Sequence, residues 1–368
     1  MKNLIKLSKS VIGLEEIEAV TAVLKKEFLG MGEEVFKFEK ELSSYIGSPT
    51  VCVNTGTAAL QLALQACDIG TGDEVLVQSL TYLASFQAIS ATGAKPIACE
   101  VYSHDLTIDL KDAKKRLTKN TKAIMPIHYS GNPGDLEAIY SFARKHNLRV
   151  IEDAAHAFGS FYKNNLIGSF GDICCFSFDG IKNITSGEGG AIVTKDVAVI
   201  NRIKDLRLLG VSKDSESRYK NQRTWELSVK EQGWRFHMSN IMASIGIEQL
   251  KKFKVFQEQR KELAKHYQKL LSGVIEVEFL DIDYNFITPH IFVVNVKNGK
   301  RDFLKAELEN KGVQTGIHYY PNHLLEYYSS YALPTTELLY SSLLTLPLHP
   351  DLKKSDIDFI CSIIKSVL

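Results

Sequence analysis

The strongest constraint on the fold is an alternation. Short apolar runs at 51–53, 74–77, 96–99, 123–127, 149–151 and 173–176 are interleaved with segments of helical periodicity that begin at Thr57, Tyr82 and Gly134. Strands that alternate with helices in this way form a mostly parallel sheet covered on both faces, joined by right-handed crossovers. Around this block the pattern differs. Residues 14–28 and 33–45 read as two amphipathic helices separated by a Gly30-x-Gly32 turn. Residues 213–232 are polar and charged with no clear strand, and read as a long excursion covering a site or a partner subunit. A long helical pattern at 239–271 leads into a tail that mixes strands (291–296, 313–317) with helices (301–310, 354–367). The expected architecture is α/β: a large domain over 1–240 and a smaller C-terminal α+β domain over 241–368.

Within the large domain one stretch concentrates chemistry, CCFSFDGIKNITSGEGGAIVT at 174–194. A buried strand leads into a polar loop carrying Ser177, Asp179 and Lys182, then a glycine cluster, then a second apolar run. A lysine held between two pieces of core can attack a carbonyl once its ammonium is desolvated and loses its proton. A solvated loop lysine is the plainer reading, and only its company weighs against it.

Three strand ends and one loop supply that company. Asn54-Thr55-Gly56-Thr57 opens a helix, where backbone N–H groups and hydroxyls suit a phosphate, although Thr57 also reads as a simple helix cap. Asp153 closes a strand at the sheet edge where open α/β sheets bind ligands, and His156 follows three residues on. A carboxylate there can pair with a protonated ring nitrogen or merely cap the next helix. Tyr82, just past another strand, can stack on a flat ring or sit in the core. Arg235, between aromatics in Gly-Trp-Arg-Phe-His-Met, can clamp a phosphate or stack on the surface. Together these parts describe a pyridoxal phosphate site.

The four blocks TGTAAL (55–60), EDAAHAFG (152–159), SFDGIKNITSGEGG (177–190) and GWRFHMSNIMASIGIEQL (233–250) resemble the DegT/DnrJ/EryC1/StrS sugar aminotransferases, of the aspartate aminotransferase fold type I. The resemblance runs from Gly30-x-Gly32 to the closing Leu-Pro-Leu-His-Pro at 346–350. It implies a seven-stranded-type sheet in the large domain. It also implies Lys182 as the Schiff-base lysine, Asp153 at the pyridine nitrogen, His156 at the ring oxygen and Tyr82 in the stacking position. Gly56, Thr57 and Ser177 would hold the phosphate, and Arg235 would reach it from the neighbouring subunit of a homodimer. Glu188, His318, Tyr319 and His323 fall on the substrate side, with Thr107 and His128 as further candidates. The implied reaction moves an amino group from L-glutamate, releasing 2-oxoglutarate, to a keto carbon of a nucleotide-linked sugar. The Lys-Asn-Ile-Thr…Gly-Glu-Gly-Gly wording favours C4 over C3, and lysine rather than histidine at 182 favours transamination over dehydration. Two positions depart from the family pattern: Asp179 stands where histidine is usual, and Arg235 where asparagine is common.

Composition narrows the alternatives. A net charge of +1 without a sustained basic run argues against nucleic acid or an anionic membrane as the main partner. A non-enzymatic regulator or scaffold that has kept the fold is the rival reading, and the lack of a helix-turn-helix module or basic arm and the presence of Lys182 and Asp153 weigh against it. The six cysteines show no CxxC spacing and mostly lie in apolar runs, so neither disulfides nor a metal site is expected and a cytoplasmic protein is. The first ten residues are too short and polar for a signal peptide. No apolar run approaches the ~20 residues needed to span a bilayer.

Overall fold

The computed structural model describes residues 4–223, 225 and 227–368. Residues 1–3, and Thr224 and Glu226 inside the expected excursion, lie outside the described residues. The strands in chain order are β1 (Thr50–Val53), β2 (Glu74–Gln78), β3 (Lys95–Cys99), β4 (Thr121–Met125), β5 (Arg149–Asp153), β6 (Phe161–Tyr162), β7 (Asn165–Leu166), β8 (Ile173–Ser177), β9 (Gly190–Val193), β10 (Val277–Phe279), β11 (Phe292–Val296) and β12 (Leu343–Leu346).

Seven of them form one sheet in the order β1-β9-β8-β5-β4-β2-β3. Every pair in it is parallel except those made by β9, which runs against both neighbours, β1 and β8. The period-2 geometry of a strand explains why the apolar runs were continuous. Ile173 and Cys175 enter one hydrophobic layer, while Cys174 and Phe176 enter the layer on the other side. Helices Gly56–Ala66, Leu83–Ala91 and Leu136–His146 follow β1, β2 and β4, as the alternation predicts. β9 is antiparallel because the loop that links it to β8 is only twelve residues long and turns straight back, too tight for a covering helix.

A three-stranded antiparallel sheet, β10-β11-β12, forms a second core with helices Arg301–Asn310 and Lys354–Val367. The 32-residue helix Asn240–Leu271 belongs to both cores. Ala243, Ile247 and Phe253 pack under the large sheet, and Leu263, Tyr267 and Leu271 pack in the second core. The change of core therefore falls within this helix, beyond residue 240. The expected strand at 313–317 is not one: Val313 bridges Ile5 and Gly316 bridges Thr345, each as an isolated pair. The polar excursion carries a short helix, Asp214–Tyr219, and one bridge, Val211 to Val229. It is tied down by the fully buried Arg207, whose guanidinium donates to Glu39, to the Cys52 carbonyl (2.6 Å) and to the Tyr219 hydroxyl (2.7 Å). Among the described residues no helix is long and apolar enough to cross a membrane.

Candidate active site

The carboxyl ends of β1, β5 and β8 converge on a cavity of about 390 Å³. Its walls include Gly56, Thr57, Tyr82, Asp153, His156, Ser177, Lys182, Glu188, His318 and Tyr319, ten of the fourteen residues expected at the site.

At one end lies the start of helix Gly56–Ala66. Thr55, not Thr57, is its cap: the Thr55 hydroxyl accepts from the Ala58 N–H (3.0 Å), and the Thr55 carbonyl accepts from Ala59 (3.1 Å). The N–H groups of Gly56 and Thr57 are left without an intrahelical acceptor, and the Thr57 hydroxyl stays free of capping duty at the cavity wall. The backbones here approach closely. A Cβ on Gly56 would sit 2.8 Å from Ser177 Cβ, and one on Gly190 would sit 2.4 Å from the Thr55 carbonyl oxygen. Glycine at both positions lets the helix start, β8 and β9 close into one cradle for an anion. Gly190→Ala is expected to push the helix start out of place, at a cost of about 1–3 kcal/mol and a weaker hold on phosphate. Urea unfolding and an inorganic phosphate titration of the variant measure the two effects.

At the next wall stands Asp153, the last residue of β5 and buried. No helix follows it directly, so the capping alternative does not apply. Its carboxylate accepts from the Ser85 hydroxyl (2.7 Å) and from the Ala155 N–H (3.2 Å). Burial pushes this carboxyl above the ordinary aspartate value, against the pull of those two donors and of the Lys182 and His128 charges. His156 Nε2 meets the Tyr319 hydroxyl (2.9 Å), while its buried Nδ1 has no partner among the described residues. Burial and the nearby Lys182 and His318 hold the His156 ring neutral, well below the ordinary histidine value. Tyr82 is not core: it precedes helix Leu83–Ala91 and is 62% exposed at the rim.

Lys182 reaches the same space from a tightly closed loop. Phe178 N–H donates to the Gly189 carbonyl (2.8 Å), Ser186 N–H to the Phe178 carbonyl (2.9 Å) and Lys182 N–H to the Asp179 carbonyl (3.1 Å). The next side chain, Asn183, is pinned between the Phe158 and Thr288 carbonyls. Lys182 Nζ lies 3.5 Å from His290 Nε2. Desolvation drops its ammonium to about 8, with Asp179 and Asp153 pulling upward and buried Arg260 pushing down. An amine of that kind carries a usable neutral fraction at neutral pH.

The substrate-side candidates divide. His318 and Tyr319 line the cavity, tied by His318 Nδ1 to Thr345 (2.8 Å) and by the Tyr129 hydroxyl to the His318 carbonyl. Burial lowers His318 to about 4. Glu188 is exposed at the mouth, its carboxyl raised by partial burial and by Asp179. His323 is outside: its ring bridges Ser79 (2.7 Å) and Glu337 (3.1 Å). Thr107 is spent on Asp105, His128 is buried with its Nε2 3.1 Å from Glu152, and neither lines the cavity. Arg235 is exposed and away from this cavity, on a segment bridged to Leu208.

Sequence reasoning missed His290 and Ser85. His290 offered only a histidine between proline and an apolar run, and Ser85 only a serine one turn into a helix. Nothing local separates either from an ordinary structural residue.

The family model for the DegT/DnrJ/EryC1/StrS aminotransferase family matches residues 10–365. The chain is 34% identical over 376 residues to the spore coat polysaccharide biosynthesis protein SpsC of Bacillus subtilis (strain 168), covering 98% of this chain and 96% of that protein. Among solved structures, the PMP-form of Spr1654 from Streptococcus pneumoniae superposes with a TM-score of 0.92 at 28% identity, covering 99% of this chain and 97% of that one. A PLP-form of the same protein matches at 0.91 and 27%. The sugar aminotransferase CalS13 from Micromonospora echinospora superposes at 0.91 with 28% identity, covering 99% of this chain and 100% of that one.

Proposed function

The chain belongs to the DegT/DnrJ/EryC1/StrS aminotransferase family, and from that premise we propose that it transfers the amino group of L-glutamate to the C4 keto carbon of a nucleotide-linked sugar. It is a pyridoxal phosphate-dependent sugar aminotransferase. The cavity fits that cofactor on its own evidence: an anion cradle that a Cβ would fill, a buried carboxylate at another wall, a desolvated amine, and the Nδ1 atoms of His156 and His290, which have no partner among the described residues. In this reading Gly56, Thr57 and Ser177 hold the phosphate. Asp153 faces the ring nitrogen, His156 the ring oxygen, Tyr82 the ring face, and Lys182 the aldehyde carbon.

When bound, the cofactor supplies an electron sink that acidifies the donor Cα. The chain's own residues do the rest. Lys182, neutral in part at working pH, would take the proton from the donor Cα and hand it to the carbon on the other side of the donor nitrogen, two atoms away. Asp153 keeps a positive charge on the ring nitrogen favourable inside a buried site. His318, Tyr319 and Glu188 face the remaining space, where the sugar would enter. The single observation that carries the reading is that Lys182 and Asp153, far apart in sequence, line one cavity with the helix start. The printed role of SpsC in polysaccharide biosynthesis supports a glycan precursor as the acceptor.

The test is the purified protein with cofactor and L-glutamate. The expected outcome is a shift of the yellow colour and one 2-oxoglutarate per site, and a lyase or decarboxylase would give a different product. A panel of UDP-, GDP- and dTDP-linked 4-keto and 3-keto sugars then assigns the acceptor, and amination at C3 would overturn the C4 assignment.

The active unit is read as a homodimer with Arg235 of the partner subunit completing the phosphate site. Tyr82, Leu83 and Ile181 at the cavity side, Leu209 just before the excursion, and Trp225, Leu227 and Val229 on it, are exposed apolar side chains that a second copy would cover. Mixing Lys182→Ala subunits with Arg235→Ala subunits should restore about a quarter of wild-type activity through heterodimers with one intact site. No recovery after verified subunit exchange would place Arg235 in its own subunit's chemistry or in none.

A further inference from the structure

Ser85 has no assigned part in the reaction, yet its surroundings are built around a single bond. Its side chain is fully buried on helix Leu83–Ala91. The hydroxyl has one proton and three acceptors in reach, Asp153 Oδ2 at 2.7 Å, Thr81 Oγ1 at 3.0 Å and the Tyr82 carbonyl at 3.3 Å. The shorter bond to the carboxylate prevails, because a charged acceptor makes the stronger bond. Thr81 Oγ1, 3.0 Å from Ser85 Oγ, is then the donor to Ser85.

The loop that carries Thr81 is held from the far end of the chain. Asn322 Nδ2 donates to the Thr81 carbonyl (2.8 Å) and the Ser79 carbonyl (3.1 Å), and Asn322 N–H donates to Ser79 again (3.0 Å). His323 N–H donates to the Ser79 hydroxyl (3.0 Å), and the His323 ring joins Ser79 to Glu337. Ser79, Thr81, Ser85, Asn322 and His323 are all buried, so each of these bonds is made away from water, where leaving one unmade is costly. The same short segment thus carries Tyr82 at the rim and Ser85 against Asp153.

We propose that Ser85 is a positioning residue that keeps Asp153 ionised and aimed into the cavity, and that the Asn322–His323 turn holds Ser85 in place to do so. The proposal rests on Asp153 being the ring-nitrogen partner. Burial works against an ionised Asp153, and the groups around it are few: the Ser85 hydroxyl, the Ala155 N–H, and the charges or rings of Lys182, His128 and Tyr319. Ser85 is the only side-chain hydroxyl bonded to that carboxylate among the described residues. Without it the proton shared between carboxylate and ring nitrogen moves toward the carboxylate. No bond is made or broken in that shift, only the position of one proton.

The experiment is nitrogen-15 NMR of ring-labelled pyridoxal phosphate bound to the intact protein, with Ser85→Ala, Ser85→Thr and Asp153→Asn alongside wild type. The expected result is a protonated ring nitrogen in wild type and in Ser85→Thr, a resonance displaced toward the unprotonated position in Ser85→Ala, and a larger displacement in Asp153→Asn. Ser85→Ala should also lower kcat about tenfold with KM for the amino donor nearly unchanged. If Asp153→Asn moves the resonance and Ser85→Ala does not, the role of Ser85 is overturned while the reading of Asp153 stands. Equal displacement in the alanine and threonine variants overturns it too, since lost packing rather than a lost donor would be the cause. If Asp153→Asn leaves the resonance in place, the premise fails and the proposal with it.

Discussion

Lys182→Ala is expected to lose at least about 10³-fold in turnover and to leave no cofactor covalently fixed to the chain after borohydride treatment, as read by mass spectrometry of the intact protein. Two roles fall together, because the nucleophile that holds the cofactor and the base that moves the proton are one amine. The apoprotein should respond in the opposite sense. Burial lowers the Lys182 ammonium from 10.5 to about 8, so the folded chain binds this proton more weakly than the unfolded chain does. The penalty is fully present below pH 8 and is relieved as pH rises from there to the ordinary lysine value. Lys182→Met keeps the apolar stem and removes the charge, and should make the apoprotein more stable at pH 7 by up to about 3 kcal/mol. That advantage should vanish near pH 10.5, which urea unfolding at several pH values checks. A variant less stable at pH 7 and unchanged in turnover would place the amine in solvent and remove it from the chemistry.

Much of the large sheet and part of the site are legible in the chain alone. Strands buried on both faces leave continuous apolar runs, so β1, β2, β3, β4, β5 and β8 were visible, and with them the strand ends that carry Asp153 and Ser177. Lys182 stood out because a polar loop between two apolar runs is conspicuous. The direction of β9 did not, since four apolar residues look alike whichever way they run. Nor did the stretch 313–317, whose apolar residues are covered by Ile5 and Thr345 rather than by a ladder. The contacts that tune the site join residues far apart: Lys182 and His290 are 108 positions apart, and His156 and Tyr319 are 163. Periodicity reports a residue's own face and its near neighbours, so such pairs leave no trace in it. His323 shows the converse. Its position in the His-Tyr-Tyr-Pro-Asn-His stretch suggested substrate, yet both ring nitrogens serve the clamp on Ser79.

Asp153→Asn is expected to cut kcat by about 10²–10³-fold while leaving the apoprotein at least as stable as wild type at neutral pH. Ala155 N–H bonds Oδ1 and Ser85 bonds Oδ2, so the single amide oxygen can keep the Ala155 bond while the new NH2 donates to the Ser85 hydroxyl, which turns from donor to acceptor. What goes is the negative charge. Burial raises this carboxyl above its unfolded value, so the folded chain binds the proton more tightly than the unfolded chain does. The ionised form therefore costs stability at any pH above the folded value, and the cost disappears as pH falls below the ordinary aspartate range. The asparagine variant escapes that cost, and its thermal midpoint without cofactor should match or exceed wild type at pH 7 and converge with it in acid. With pyridoxal phosphate added the order should reverse, because only the carboxylate can balance a protonated ring nitrogen. A carboxylate retained at a cost to the empty fold is retained for what it binds, and the crossing of the two stability orders is the measurement that separates this reading from a merely structural aspartate. If the variant were less stable both with and without cofactor, and by the same amount, Asp153 would be part of the scaffold and the ring nitrogen would need another partner.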